Sequence, residues 1–159
     1  MRDESLQRIL QALGPKSQWF GGPSPAGSLR GVDIELATRR SVGLKHCIWE
    51  LALHTAYWEY AVRRSLEGGP KGAFPRSPSN WPLLPEECNE RTWASDRQLV
   101  KQEREALIRA VECFPAEKLA EPTSGMSDRT YEELLIGIIQ HSAYHTGQIA
   151  LLKRLEGPG

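Results

Sequence analysis

Neither sign of charge prevails in this chain: 20 basic residues face 20 acidic ones. A nucleic-acid-binding protein needs a basic face, and no excess exists to build one. No block of like charges marks a tail. No apolar run approaches the roughly 20 residues that a membrane-spanning helix requires. The opening residues Met1-Arg2-Asp3-Glu4 are charged and lead into no apolar stretch. A secretory signal is therefore not expected, and a cytoplasmic location is. Cysteine is scarce. Cys47, Cys88 and Cys113 are odd in number, far apart and form no Cys-x-x-Cys pair. That argues against a disulfide framework and a cysteine-type zinc site, and each reads as a packing or surface thiol. Internal repeats, low-complexity tracts and convincing strand patterns are also missing. At 159 residues, one domain spanning 1–159 is expected, long enough to bury a core without staples.

What the chain does have is helical periodicity. Leu6, Ile9, Leu10 and Leu13 recur at helical spacing from Glu4 to Leu13, and Gly14-Pro15 stops them. Residues 14 to 27 read as a loop, with a helical turn or two between Ala26 and Thr38. From Leu44 to Leu66, the residues Leu44, Ile48, Leu51, Thr55, Trp58 and Val62 form a bundle seam, and Gly68-Gly69-Pro70 ends it. Residues 68 to 85 carry many prolines and glycines. A connection this long fits a crossover between two helices running the same way, or a lid over a site. Glu86 to Val111 is polar and helix-forming, with Trp93, Leu99, Leu107 and Val111 as core contacts. A short turn is expected over Ala116 to Ala120. Thr130 and Glu133 form a capping box that opens the last helix, whose seam is Leu134, Ile138, His141, His145, Ile149 and Leu152. Four helical segments predict an all-α bundle.

Two histidines sit on that last seam. His141 and His145, four residues apart, lie about 40° apart around a helix axis and about 6 Å along it. One divalent cation can accept a nitrogen from each, and sharing it removes the cost of burying two unpartnered imidazoles. A third ligand must come from another helix. His46 and His54 are about 12 Å apart along their axis, so both cannot serve one ion. His54 lies mid-helix beside the seam and is the better choice. His46 sits at the first turn and reads as a surface or helix-terminal contact. A zinc peptidase needs glutamate after its first histidine, and here that position is Ser142. Di-iron bundles need Glu-x-x-His, and Ile138 and Leu51 occupy those glutamate positions. A mononuclear three-histidine site remains. Glu50 and Tyr144 are candidates for a general base. Tyr144 and Gln148 flank the ligands, and Gln148 can orient an imidazole. Trp49, Tyr57 and Trp58 are core residues or a pocket wall. Gly147 suggests a close helix approach.

The stretch His141-Ser-Ala-Tyr-His145-Thr-Gly-Gln148-Ile resembles the HxxYHxGQI motif of the DinB/YfiT-like superfamily of metal-binding bundles. The segment from His46 through Trp49, Glu50 and His54 to Trp58 resembles the superfamily's second helix. Trp81-Pro82 and Trp93 are similar too, so the likeness runs from about Gly22 to the end. The resemblance implies an up-down-down-up four-helix bundle with a long connection between helices 2 and 3. It implies His54, His141 and His145 as ligands to one divalent ion, zinc or nickel, and a homodimer. Some similar proteins are thiol S-transferases using bacillithiol or mycothiol; others are isomerases or hydrolases. The leading expectation is a metal-dependent enzyme that transfers a low-molecular-weight thiol or water to a small-molecule substrate. The competing readings are a non-catalytic, metal-stabilised small-molecule-binding or stress-response protein, and a plain bundle with packed histidines.

Overall fold

The computed structural model describes residues 4–14, 21–69, 72–123 and 128–157. Each long helix begins where a side chain can close its first turn. Cys47 caps α4 (Ile48–Glu67), and its N–H donates to Glu50 Oε2 at 2.9 Å. Asn89 caps α5 (Glu90–Glu112), exchanging hydrogen bonds with Thr92 at 3.0 Å in both directions. Thr130 caps α6 (Tyr131–Glu156), with Glu133 N–H donating to its hydroxyl and Thr130 N–H donating to Glu133. α4 ends at Gly68, whose φ of +61° is one that glycine adopts without steric cost.

These caps correct two expected starts. α4 opens at Ile48 rather than Leu44, because Glu50 ties the backbone at Cys47; Leu44 lies before the helix and is half exposed. α5 opens at Glu90 rather than Glu86, because the Asn89–Thr92 box sets its first turn. α1 (Glu4–Leu13) matches its expected span. The segment from Ala26 to Thr38 is two short helices, α2 (Pro25–Ser28) and α3 (Ile34–Thr38), capped by Ser24 and Asp33 and parted at Gly31, where φ is +73°. The expected turn after α5 is a 3-10 turn over Ala116–Lys118. Pro15 and Pro70, two of the expected stop signals, lie outside the described residues.

The chain is all-α, with no strand among the described residues and one isolated bridge between Pro122 and Thr130. No described helix is long and apolar enough to cross a membrane. α4 and α5 run the same way. Trp49 donates to Asp96 near their starts, and Arg63 pairs with Glu103 further along. α6 runs against α4, since His54 meets His145 while Glu59 meets Ser142. The long connection is what lets α5 return in the direction of α4.

Two apolar clusters fill the bundle. One joins α2, α3 and the first half of α4 to Trp93, Ile149 and Leu152. The other joins α1, Val62, Leu107, Val111 and the first half of α6. Between them lies a buried polar layer: His54, Thr55, Glu59, Glu103, Ser142, His145 and Thr146. Burying such groups costs free energy unless each finds a partner. Leu99, an expected core contact, is partly buried and packs against the first cluster.

Candidate metal centre

α4 contributes His54 to this layer, and α6 contributes His141 and His145. The i,i+4 spacing puts the α6 rings edge to face with centroids 4.5 Å apart. The His54 ring lies 4.9 Å from His141 and 4.7 Å from His145. One ring nitrogen from each of the three falls within 4.8 Å of the others. His54 Nε2 and His141 Nε2 face each other at 3.1 Å.

Hydrogen bonds on the outer side fix where the protons sit. His54 Nδ1 lies 2.6 Å from the carbonyl oxygen of Asn80. A carbonyl only accepts, so Nδ1 carries the proton and Nε2 presents its lone pair inward. His145 Nδ1 likewise donates to Gln148 Oε1 at 2.6 Å. His141 is different: its Nδ1 is buried and has no hydrogen-bond partner among the described residues. If its proton sits on Nε2, it donates to His54 and leaves a buried Nδ1 lone pair bare. If the proton sits on Nδ1, two Nε2 lone pairs meet head-on. The first arrangement makes one hydrogen bond inside the cluster; the second turns the inward nitrogens into facing lone pairs with nothing between them. A cation among the three nitrogens turns the inward lone pairs into a ligand set. Two ligands at about 2.0–2.1 Å in a tetrahedral shell stand about 3.3 Å apart, close to the spacing here. Three neutral imidazoles are a donor set that suits zinc, copper, iron and nickel alike.

Protonation does not compete at neutral pH. Burial pushes the His54 and His141 imidazoles down to about 4, and the neighbouring histidines add to the effect. For His54 the Asn80 carbonyl pulls the other way and is outweighed. Burial lowers His145 as well, against the opposing bond to Gln148. All three rings are therefore deprotonated at one nitrogen and ready to coordinate.

The connection between α4 and α5 closes over the cluster at three points. Arg76 pairs with the buried Asp96 at 2.5 Å. Asn80 accepts from His54 through its backbone and from Trp58 Nε1 through its side chain at 2.8 Å. The Trp81 indole stacks at 3.7 Å against both His54 and His46. Asn80 has a φ of +72°, a conformation that asparagine tolerates better than most residues. Asn80 escaped the sequence reading, and Trp81 entered it only as part of the resemblance, without a place beside the histidines. The one available signal was an Asn-Trp-Pro triplet in a proline-rich connection.

The other singled-out residues take varied places. His46 stacks on Trp81, and its Nδ1 is 3.7 Å from Glu50. Glu50 is not part of the three-histidine cluster and binds Arg40 through both oxygens at 2.7 and 3.0 Å. Burial works to raise its pKa, but Arg40 and the Cys47 N–H outweigh that and hold it below the ordinary carboxyl value. Tyr144 is exposed, with its ring edge-on to His145 at 5.0 Å. Gln148 orients His145. Trp49 is fully buried core, Trp58 borders His141, and Tyr57 packs on Phe74. Gly147 is exposed, and a Cβ there would meet nothing within 4 Å, so no helix approaches it. Cys47, Cys88 and Cys113 are free thiols, and burial pushes Cys47 up to about 11.

Two cavities reach the imidazoles. One of about 380 Å³ is lined by Lys45, His46, Trp81, Tyr144, His145 and Gln148, among others. A second, of about 360 Å³, is bordered by Trp58, Arg129, Gly137 and His141. The first touches the cluster at His145 and the second at His141; His54 lines neither.

Comparison with known proteins adds one match. The family model described as the DinB superfamily matches residues 26–149, a span that contains all three histidines. No curated protein and no solved structure matches significantly.

Proposed function

The chain belongs to the DinB superfamily, and from that premise we propose that it is a metal-dependent enzyme with a mononuclear centre held by His54, His141 and His145. The observation that carries this reading is the convergence of one ring nitrogen from each of three partly or fully buried imidazoles, two of which have their outer Nδ1 protons tied to Asn80 and Gln148. A bound zinc or nickel ion would supply the charge that lowers the pKa of a thiol or water brought to it. The chain's own residues do the rest. Asn80 and Gln148 hold the Nδ1 protons so that two inward lone pairs stay available. Trp81 covers one face of His54 and keeps bulk water from it. The two flanking cavities, with Lys45 in one and Arg129 in the other, give room for a low-molecular-weight thiol and a small electrophile. The reaction is thiol S-transfer or hydrolysis. Tyr144, at the mouth of the larger cavity, is better placed than Glu50 to handle a substrate proton, since Glu50 is committed to Arg40.

The directions of α4, α5 and α6 support the up-down-down-up order that the resemblance implies. A homodimer belongs to the same reading. Ile136, Tyr144, Leu151 and Leu155 expose large apolar surface along α6, and a second copy would cover it. The work is done in the cytoplasm, where thiol co-substrates stay reduced.

Elemental analysis of the purified protein tests the centre, and a thiol-transfer screen with the metal present and removed tests the activity. One equivalent of metal is expected, lost in His141→Ala. Full metal content in that variant would overturn the ligand set. Metal binding with no turnover across thiols and esters would leave the non-catalytic binding protein as the better reading.

A further inference from the structure

A third cavity lies apart from the imidazoles, between α2, α4 and α5. At about 600 Å³ it is larger than either cavity beside the histidines. Pro25, Ala26, Leu29, Ala94 and Val100 give it apolar walls. Four cations border it, Arg30, Arg97, Lys101 and Arg104, against two carboxylates, Glu59 and Glu105. The pairing is uneven. Arg104 is used up: it donates to Glu59 at 2.6 Å and to the Leu13 carbonyl at 2.9 Å. Lys101 stands 3.9 Å from Glu105. Arg30 and Arg97 have no ion-pair partner among the described residues. Arg97 is held with its guanidinium 5.5 Å from the Trp93 ring, and its buried Nε has no hydrogen-bond partner among the described residues.

Two spare guanidiniums at the edge of an apolar pocket define a complementary ligand. Its body must be apolar to fill the walls, and its head must be an anion that accepts a pair of charge-assisted hydrogen bonds. We propose that this cleft is a binding site for an amphipathic organic anion, an alkyl or aryl carboxylate or sulfonate, anchored by Arg97 and Arg30. It is separate from the three-histidine centre and does not depend on what that centre binds. Guanidinium suits this task because its planar fork meets two oxygens at once.

Fluorescence titration of the purified full chain with 8-anilinonaphthalene-1-sulfonate tests the assignment, with neutral N-phenyl-1-naphthylamine as the comparison. The sulfonate is expected to bind one site per chain, and the neutral analogue at least about tenfold more weakly, for want of charge-assisted bonds. Arg97→Gln and Arg30→Gln should each weaken the sulfonate about tenfold and leave the neutral probe unchanged. Ala94→Trp, on an exposed wall position, should block both probes by filling the cleft, and it keeps the test alive if Arg97→Gln disturbs the packing on Trp93. Tyr144→Ala, beside the histidines and away from this cleft, should leave the affinity for both probes unchanged. Equal affinity for the two probes overturns the anion site. So does sulfonate binding that survives Ala94→Trp, or that is lost in Tyr144→Ala.

Discussion

Glu59, Arg104 and Ser142 form one buried polar cluster in the middle of the bundle; His54, His141 and His145 form another. Both draw on α4 and α6, and on α4 their positions differ by about 140° around the axis. The first is complete. Arg104 and the Ser142 hydroxyl donate to Glu59 Oε1 at 2.6 and 3.1 Å, and the other Arg104 nitrogen reaches Leu13. Charge balances charge, and none of the three has a buried atom without a partner among the described residues. The second cluster is also largely buried, with His141 only partly so, but it has no counter-charge among the described residues, and its inward nitrogens present lone pairs toward one another. A buried group whose needs are met holds helices together; one whose needs are unmet is ready to take something from solution.

The sharpest way to break that contrast is to cut each cluster in turn. Arg104→Met strands the Glu59 carboxylate and should cost about 3–5 kcal/mol in urea unfolding, whereas replacing both partners, Glu59→Leu with Arg104→Met, should recover most of the loss. If the double variant is as unstable as the single one, the pair is not the source of the cost. In the metal-free protein, His141→Ala should cost far less, about 1 kcal/mol or below, because it removes an unsatisfied group.

Adding zinc reverses the ranking. A free concentration a hundred times Kd should stabilise the wild type by about 2.7 kcal/mol and His141→Ala by nothing measurable in thermal unfolding. Equal stabilisation of both proteins would mean that the ion binds elsewhere.

A smaller effect comes from protons. The His54 and His141 rings titrate at about 4 in the folded chain, against an ordinary value of 6.5. As pH falls through 6.5 the unfolded chain takes up protons that the folded one refuses. Their contribution is therefore full above 6.5 and is lost as pH falls toward 4. Metal-free wild type should show a larger drop in urea midpoint between pH 7.5 and pH 5 than the His54→Gln, His141→Gln double variant. Identical slopes would show that the two rings are not protected from protonation.

The smallest expected change lies in the loop. Asn80→Ala puts at φ +72° a residue that tolerates it less well than asparagine and removes the bond to Trp58, so zinc affinity should fall about tenfold through the loosened hold on His54. Asn80→Gly keeps the backbone carbonyl and tolerates the φ, so its loss should be smaller. Calorimetric titration of the two variants distinguishes them.

Much of the helical frame could be read directly because its causes are local. The Thr130–Glu133 box, the Gly68 stop and the seam through Leu134, Ile138 and Ile149 each depend on neighbours within a turn or two. The starts of α4 and α5 were misjudged by four residues because an apolar or helix-favouring run continued past the cap, and the caps at Cys47 and Asn89 were overlooked. His141 and His145 stood out because four residues on a helix is a contact in itself. The part played by Asn80, and the stacking of Trp81 on His54, did not, because a loop's spacing carries no periodicity and its path over α4 depends on where Arg76 finds Asp96. The Glu59–Arg104–Ser142 cluster was missed too. Single polar residues on three helices look like solvated faces until the helices are assembled.

The sequence by itself determined the helices, their polar and apolar faces, and the pair of imidazoles on α6, since all of these follow from a repeat of 3.6 residues per turn. Only the tertiary structure decided that His54 would meet that pair, that Asn80 and Gln148 would fix the protons of two rings, and that Nδ1 of the third would have no partner among the described residues. Those outcomes depend on the relative height of helices distant in the chain, which is set by how the two apolar clusters pack and not by any local spacing.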